Sequence, residues 1–413
     1  MSDSPLAVRR GTFSRLRLEA FGVKGYRYLW SANICWNLGR WMEQVAVGWI
    51  AFELTRSPLL VALIGFYRSL PLFLLGIFGG VLGDRYDRQR VMLSLQVVNV
   101  VTVAAAATLS LLGQLNYTDL AVAEVVLGVS MAFDWPSRRS LTVDLVGRDR
   151  LTNAVAMDAT GQNVSRTIGP LVSGLVIAAF SPGVALAILA GLYLTNAVLI
   201  SRVPNPASQI VTKGRDVWHH LTDGVGQVLK DQAVIGVLAI TVAMNLFFFP
   251  YQQLLPVVAV DVLGSGSVGL GGLSAADGLG SLIGTLLIAL FASHRRNGLF
   301  FWIGSVVSGV ALIGFSTMRV FALAALLLFV GGFFRASFSA FQAAIVLRNS
   351  SDRMRGRAMG ILTLAIGVGP FGTLEIGALA QAIGTPLAIF ADAAACVLLV
   401  AAIGARLRRL REA

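Results

Sequence analysis

The sequence predicts an all-α membrane protein in which twelve transmembrane helices form two pseudo-symmetric bundles of six, with both termini in the cytoplasm. Three observations carry this prediction: the composition, the apolar runs and the placement of the positive charges. Of the 413 residues, 56% are hydrophobic and only 13% are charged. A soluble domain carries roughly 25% charged residues, so long stretches of this chain are suited to a bilayer.

Twelve apolar runs are each long enough to cross a membrane as a helix, which takes roughly 20 residues. They occupy residues 28–52, 58–82, 91–113, 119–146, 152–180, 183–203, 234–260, 267–292, 298–317, 320–347, 357–382 and 385–405. An even number of spans places both ends of the chain on the same side of the membrane.

The positive charges indicate which side that is. Most of the 33 Lys and Arg residues fall in 1–27, 83–91, 138–150, 202–230, 294–297, 348–357 and 406–411. The loops on the other side contain only Arg56 and Arg319. Because Lys and Arg are retained on the cytoplasmic side, both termini are predicted to be cytoplasmic, in an inner membrane of bacterial type.

The longest hydrophilic stretch divides the spans six and six. The predicted organisation is a cytoplasmic segment 1–27, a first bundle 28–203, a linker 204–232, a second bundle 233–405 and a basic cytoplasmic tail 406–413. The linker is interpreted as containing an interfacial helix, with an unstructured connector as the alternative. Gly169-Pro170 in span five recurs as Gly369-Pro370 in span eleven, which supports two related halves.

Several function classes are excluded by the composition and by missing motifs. A net charge of +12 would suggest nucleic acid on a soluble protein, but these charges lie in short loops and form no basic face. Cys35 and Cys396 lie in apolar runs without metal-binding spacing, and the chain has no phosphate-binding Gly-rich loop. We therefore expect no nucleic acid, cofactor, metal or enzymatic activity. The expected partners are a small-molecule substrate, protons and the lipid bilayer, with no obligate protein partner.

The loop after span two carries a recognisable motif. It reads Gly80-Val81-Leu82-Gly83-Asp84-Arg85-Tyr86-Asp87-Arg88-Gln89-Arg90. This resembles the signature loop of the major facilitator superfamily, a glycine-rich helix end followed by Asp-Arg and a basic cluster. Asp87 stands where the second glycine is usual, which is similar to the branch of the enterobactin exporter and related drug–proton antiporters. Span one, from Asn33 to Trp49, resembles the same branch, and the resemblance covers nearly the whole chain.

The resemblance implies a cytoplasmic latch between the halves. Asp84 would face the amino end of helix eleven, where the helix dipole favours a carboxylate. Arg88 would reach an acid on helix four, with Asp144 as the first candidate and Asp134 as the second. The candidate latch residues are Gly80, Gly83, Asp84, Arg85, Arg88, Arg90 and Asp144. The alternative is a solvated positive loop with no latch.

Span five contains a second motif, Gly169-Pro170 followed by Gly174, which resembles the glycine-proline motif that the family associates with antiporters. The two glycines permit close helix approach, and Pro170 removes one backbone hydrogen bond and allows a bend. The repeat in span eleven offers internal symmetry as an alternative explanation.

Ionisable residues inside a membrane are costly and indicate function. Two polar stripes run along spans one and five, with Glu43 and Asp158 as candidates for proton coupling. Burial disfavours a charged carboxylate and a neighbouring arginine favours it, so alternating exposure can move a proton. Arg40 and Arg166 are the expected partners, or they bind an anionic group of the substrate. The alternative is that these residues form structural pairs that fix helix register. Further candidates for the cavity or substrate site are Asn33, Asn37, Gln44, Gln162, Asp277 and Arg335.

When span two is aligned with span eight, Arg68 and Asp277 occupy corresponding positions in the two halves, and both are expected to face a central cavity. The segment 247–253, with three phenylalanines beside Pro250, is a candidate for the cavity wall or for lipid-facing packing. The predicted function is proton-coupled export of a small amphipathic compound, such as a drug or siderophore, by alternating access. The alternatives are import or lipid translocation on the same fold, and a membrane receptor that transports nothing.

Overall fold

The computed structural model describes residues 19–85, 87–204, 231–291, 297–350 and 355–412. These residues are helical nearly throughout and contain no strand. The interfacial helix predicted in the linker 204–232 falls almost wholly outside the described residues, as does most of the segment 1–27.

The first half begins with a 3₁₀ turn, Glu19–Gly22, and continues through five helices. These are α1 (Lys24–Thr55), α2 (Pro58–Arg85), α3 (Arg88–Leu111), α4 (Tyr117–Ala179) and α5 (Pro182–Ser201). Helix α4 contains both predicted spans 119–146 and 152–180, because only one residue interrupts it: Gly147, with φ 70 and ψ 175. A positive φ is accessible to glycine without strain, so the chain turns there with no separate loop. We call its two parts α4a (Tyr117–Gly147) and α4b (148–179).

The described residues of the second half form eight helical elements. They are α6 (Gln232–Val262), α7 (Gly266–Phe291), α8 (Asn297–Thr317), α9 (Phe321–Arg348), α10 (Arg355–Ile366), α11 (Gly369–Ile383), α12 (Thr385–Arg406) and α13 (Arg408–Glu412). Helix α6 is regular only as far as Ala243; a π turn, Met244–Phe248, and a 3₁₀ turn, Phe249–Leu254, follow. Pro250 has no backbone N–H, which accounts for the irregular hydrogen bonding.

Ten helices among the described residues are long and apolar enough to cross a membrane. Helix α1 and segment α4b are not among these ten, although each is long enough. They carry the two polar stripes, which lower their apolar character. The chain is therefore a multi-pass membrane protein.

Two structural details go beyond the sequence prediction, one at a proline and one at the C-terminus. The predicted span 357–382 is found as Arg357–Ile383, but it is interrupted between α10 and α11, where Pro370 cannot donate a backbone hydrogen bond. The predicted basic tail 406–413 contains helix α13, and its Leu410 is fully buried. Leu410 packs on the first turns of α6, beside Gly236.

The two halves meet along two pairs of helices, α2 with α11 and α4b with α7. A Cβ added at Gly174 of α4b would lie 2.5 Å from the carbonyl oxygen of Ser267 in α7. At the start of α2, the Ser57 hydroxyl donates a hydrogen bond of 2.9 Å to Gln381 at the end of α11. The halves are thus in direct contact at the end of the molecule that contains Ser57.

Candidate functional site

A cavity of about 660 Å³ lies between the two halves. Its wall is formed by α1, α2, α4a, α6, α10 and α11, so both halves contribute. This volume is in the range of sites for drug-sized molecules, roughly 300–1,000 Å³. The charged residues of its wall are Arg40, Glu43, Arg68, Glu124 and Arg139. The irregular segment of α6 supplies Phe249, Pro250, Gln252 and Gln253.

Glu43 is the most enclosed acid of this wall, with 2% of its surface exposed. Its carboxylate forms an ion pair with Arg68 of α2. The hydroxyl of Tyr193 in α5 donates a hydrogen bond of 2.6 Å to the same carboxylate. Arg68 also lies 3.4 Å from Glu124 of α4a, so one guanidinium serves both acids of the cavity.

Arg40 lies one turn before Glu43 and faces the same cavity, but it does not pair with that acid. Its guanidinium carbon lies over three indole rings, at 5.9 Å from Trp36, 5.3 Å from Trp41 and 5.8 Å from Trp135. A cation within about 6 Å of an aromatic face is attracted by the ring quadrupole. Gln44 is the next polar residue of the stripe that lines the cavity.

A second buried cluster joins the halves around Asp277 of α7, which is 4% exposed. Arg166 of α4b donates to its Oδ2 at 2.7 Å. Arg335 of α9, 2% exposed, donates to both carboxylate oxygens at 3.1 and 3.0 Å. The Tyr251 hydroxyl completes the set at 3.2 Å from Oδ1. Only Arg166 comes from the first half, so its hydrogen bond with Asp277 is the one that crosses between halves.

Asp158 belongs to a third cluster, which lies inside the first half and does not line the 660 Å³ cavity. Asn33 and Tyr26 of α1 donate to its Oδ1 at 3.3 and 3.4 Å. Asn33 in turn accepts a hydrogen bond of 3.0 Å from Arg138, which pairs with Asp134 at 2.5 Å. This cluster connects α1 to both parts of α4.

Two other candidates of the polar stripes also lie away from the cavity wall. Asn37 is buried in α1 and donates to the backbone carbonyl of Asn33, one turn earlier, at 2.8 Å. Gln162 is half-buried on α4b and does not line the cavity.

Part of the candidate latch can be placed. Arg88, at the start of α3, forms an ion pair with Asp144 near the end of α4a. The second candidate acid, Asp134, is held by Arg138 instead. Arg90 lies 3.5 Å from Asp87, which also caps α3. The surroundings of the remaining latch candidates lie outside the part that the structure describes. These candidates are Gly80, Gly83, Asp84 and Arg85.

The glycine-proline motif lies where α4b contacts both of its neighbours. A Cβ added at Gly169 would lie 2.9 Å from the Cβ of Trp41 in α1. Gly174 faces α7, and a Cβ added at Gly271 of that helix would lie 2.7 Å from the Pro170 carbonyl oxygen. The glycines therefore allow α4b to approach one helix of its own half and one of the other half.

Comparison with known proteins identifies the family. The model of the family described as transmembrane secretion effector matches residues 11–413. The chain belongs to this family, within the major facilitator superfamily. It is therefore a multi-pass membrane transport protein.

Several named relatives are efflux proteins. The chain is 24% identical to the multidrug efflux pump Tap of Mycolicibacterium fortuitum, over 91% of this chain and 93% of that protein. It is 26% identical to the enterobactin exporter EntS of Citrobacter koseri, over 69% of this chain and 68% of that protein. The predicted resemblance to this branch is confirmed.

The fold is similar to that of solved transporters. The structure of a POT family transporter in complex with 5-aminolevulinic acid superposes with a TM-score of 0.75. The sequence identity is 11%, and the match covers 95% of this chain and 99% of that chain. At this identity the likeness concerns the fold alone.

The pairing expected from the sequence is wrong in its details. Arg40 and Arg166 were the expected partners of Glu43 and Asp158, whereas the structure pairs Glu43 with Arg68 and Arg166 with Asp277. Glu43 faces Arg68 on a neighbouring helix and Arg166 faces Asp277, whereas Asp158 and Arg166 lie eight residues apart along α4b. Glu124, Tyr193 and Tyr251 complete the clusters. Among these, the intramembrane charge of Glu124 was the one visible signal; the tyrosines lie in apolar or aromatic runs.

Proposed function

We propose that this chain is a proton-coupled exporter of a small amphipathic compound, a drug or siderophore. In this proposal α1 and α4b also cross the membrane, which makes twelve spans with the ten apolar helices. Both termini then face the cytoplasm of a bacterial-type inner membrane, in agreement with the loop charges. The two halves rock about the cavity to give alternating access.

The environment of the Glu43 carboxylate is the observation on which the proton-coupling proposal rests. Its carboxylate is enclosed, lies at the cavity wall and is held by one arginine, Arg68, and one hydroxyl, that of Tyr193. Arg68 is shared with Glu124, so a proton on either acid changes how the guanidinium is held. Because water reaches the cavity from alternate sides during the cycle, such a group can take up a proton on one side and release it on the other.

The geometry favours Glu43 over Asp158, the other coupling candidate. Asp158 is bonded to Asn33 and Tyr26 within the first half and lies away from the cavity. A role for it would require a separate proton path through that half. The export direction rests on the names of the efflux relatives and on the glycine-proline motif.

Proton movement in everted membrane vesicles tests this proposal. A pH-sensitive dye would report proton release from energised vesicles on addition of each member of a panel of drugs and siderophores. We expect at least one compound to trigger release, Glu43→Gln to abolish the response, and Asp158→Asn to retain it. Each variant must be present in the membrane at the parental level, as judged by immunoblot.

The other outcomes are informative. A full response in Glu43→Gln would remove Glu43 from the coupling step, and loss in Asp158→Asn alone would assign the coupling to that residue. No response across the panel, with folded protein present, would favour an importer, a lipid translocator or a receptor on the same fold.

A further inference from the structure

Arg40 is a cavity-facing cation without an acidic partner in the described part of the chain. It makes no ion pair and no hydrogen bond there, and its described contacts are the three indole rings. A charged guanidinium at membrane depth is costly unless it is paired. Stacking on aromatic faces is a weaker interaction than an ion pair with a carboxylate, so it recovers only part of that cost.

The two acids of the cavity wall are not available to Arg40. Glu43 is held by Arg68 and Tyr193, and Glu124 lies against the same Arg68. Among the described residues, the wall thus contains three arginines and two glutamates, an excess of positive charge.

Arg139 is the second cation without a described partner. It lines the cavity one turn after Trp135, and its guanidinium carbon lies 5.2 Å from the centre of that indole. Two guanidinium carbons thus lie within 6 Å of the Trp135 ring, that of Arg40 at 5.8 Å and that of Arg139 at 5.2 Å. The result is an aromatic surface at the cavity wall with two cations close to it.

We propose that the cavity binds an organic anion with a flat or aromatic part, a narrower substrate class that rests on the transport function proposed above. The guanidinium of Arg40 binds the carboxylate or other anionic group, for which its planar fork is suited, and Arg139 adds a second charge. The apolar part of the substrate packs on Trp135 and on Phe249 across the cavity. Organic cations of the same size are disfavoured, because they would meet an excess of positive charge.

Two dyes that share one ring system test the sign of the charge. 5-Carboxyfluorescein is an anion and rhodamine 6G is a cation, and both are built on xanthene. Their binding to the full-length protein in lipid nanodiscs would be measured by fluorescence anisotropy at constant ionic strength. We expect saturable binding of carboxyfluorescein, and binding of rhodamine 6G that is at least about tenfold weaker.

Variants of Arg40 locate the binding site. Arg40→Gln is expected to weaken carboxyfluorescein binding by about tenfold or more, as loss of a hydrogen bond to a charged group would. Arg40→Lys keeps the charge and should fall between the two. Arg56→Gln is the matched control. The Arg56 guanidinium also lies over an aromatic ring, 4.9 Å from the centre of Phe52, but Arg56 does not line the cavity.

Three results would overturn the inference: tighter binding of rhodamine 6G, no saturable binding of carboxyfluorescein, or equal loss of anion binding in Arg40→Gln and Arg56→Gln. The results also distinguish a failure of the anion-binding inference from a failure of the proposed transport function. Anion-selective binding without proton-linked transport would refute the exporter and retain the anion site. Proton-linked transport of cations alone would retain the exporter and refute the anion site.

Discussion

The hydrogen bond between Arg166 and Asp277 is the buried polar contact that joins the two halves beside the cavity. Of the contacts between halves, Arg166→Gln removes this one, together with the stacking of Arg166 on Trp41 of its own half at 4.8 Å. Asp277 keeps Arg335 and Tyr251 from its own half. A buried hydrogen bond between charged groups contributes on the order of 1.5–3 kcal/mol. If the loss falls wholly on the state in which α4b and α7 are packed, the equilibrium between states shifts by roughly 10- to 150-fold.

A cysteine pair can report this shift. Ser57 and Gln381 are hydrogen-bonded to each other across the halves, so cysteines at both positions would be joined by a short bifunctional thiol reagent. The background would carry alanine in place of the two free cysteines, Cys35 and Cys396. We expect Arg166→Gln to lower the initial rate of cross-linking by several-fold or more.

Arg138→Gln provides the matched control. It removes a buried arginine, 5% exposed against 15% for Arg166, whose partner Asp134 lies on the same helix. It should therefore lower thermal stability without changing the cross-linking rate. An unchanged cross-linking rate in folded Arg166→Gln would refute the reasoning, because it would mean that the inter-half pair does not bias the states. A reduced rate in both variants would indicate general unfolding instead.

Two further variants test the helix contacts. Gly174→Val places a side chain 2.5 Å from the Ser267 carbonyl oxygen. Because overpacking costs about 1–3 kcal/mol, we expect this variant to lower transport at least tenfold. Gly191→Val, with open space at its Cβ, is the control and should transport normally. Arg88→Asp opposes Asp144 with like charge and should slow transport by about fivefold, while the swap that adds Asp144→Arg should restore most of the rate. Normal transport in Gly174→Val, or no rescue by the swap, would contradict the proposed contacts.

The apolar runs predicted the helices well because a bilayer leaves few alternatives to a helix of fixed length. The exceptions lie where backbone chemistry acts locally. The predicted spans 119–146 and 152–180 are present as α4a and α4b, but no separate loop joins them, because Gly147 alone redirects the chain. Pro370 divides a run of continuous hydrophobicity, which the apolar pattern conceals.

The candidate site was predictable as a set of residues but not as a set of pairs. Periodicity places Arg40 and Glu43 on one side of α1, yet it does not give the rotation of α2, on which the pairing of Glu43 with Arg68 depends. The contact of Arg166 with Asp277 depends on how the two halves pack against each other, which cannot be predicted from the local sequence. Tyr193 has no charge to mark it, although its hydroxyl is bonded to Glu43.

The location of each pair decides what rocking of the halves does to it. Asp158 and the Arg138–Asp134 pair lie wholly within the first half, so a rigid-body motion leaves them unchanged and favours a structural role. The pair Glu43–Arg68 also moves as one unit, but it faces the cavity, and its exposure to water changes with the state. The Arg166 bond to Asp277 must break if α4b separates from α7. Under the proposed function, Glu43 senses the cavity and the Arg166–Asp277 contact opposes separation of α4b from α7. Protonation of Glu43 then biases an equilibrium between states that the inter-half contact holds near balance.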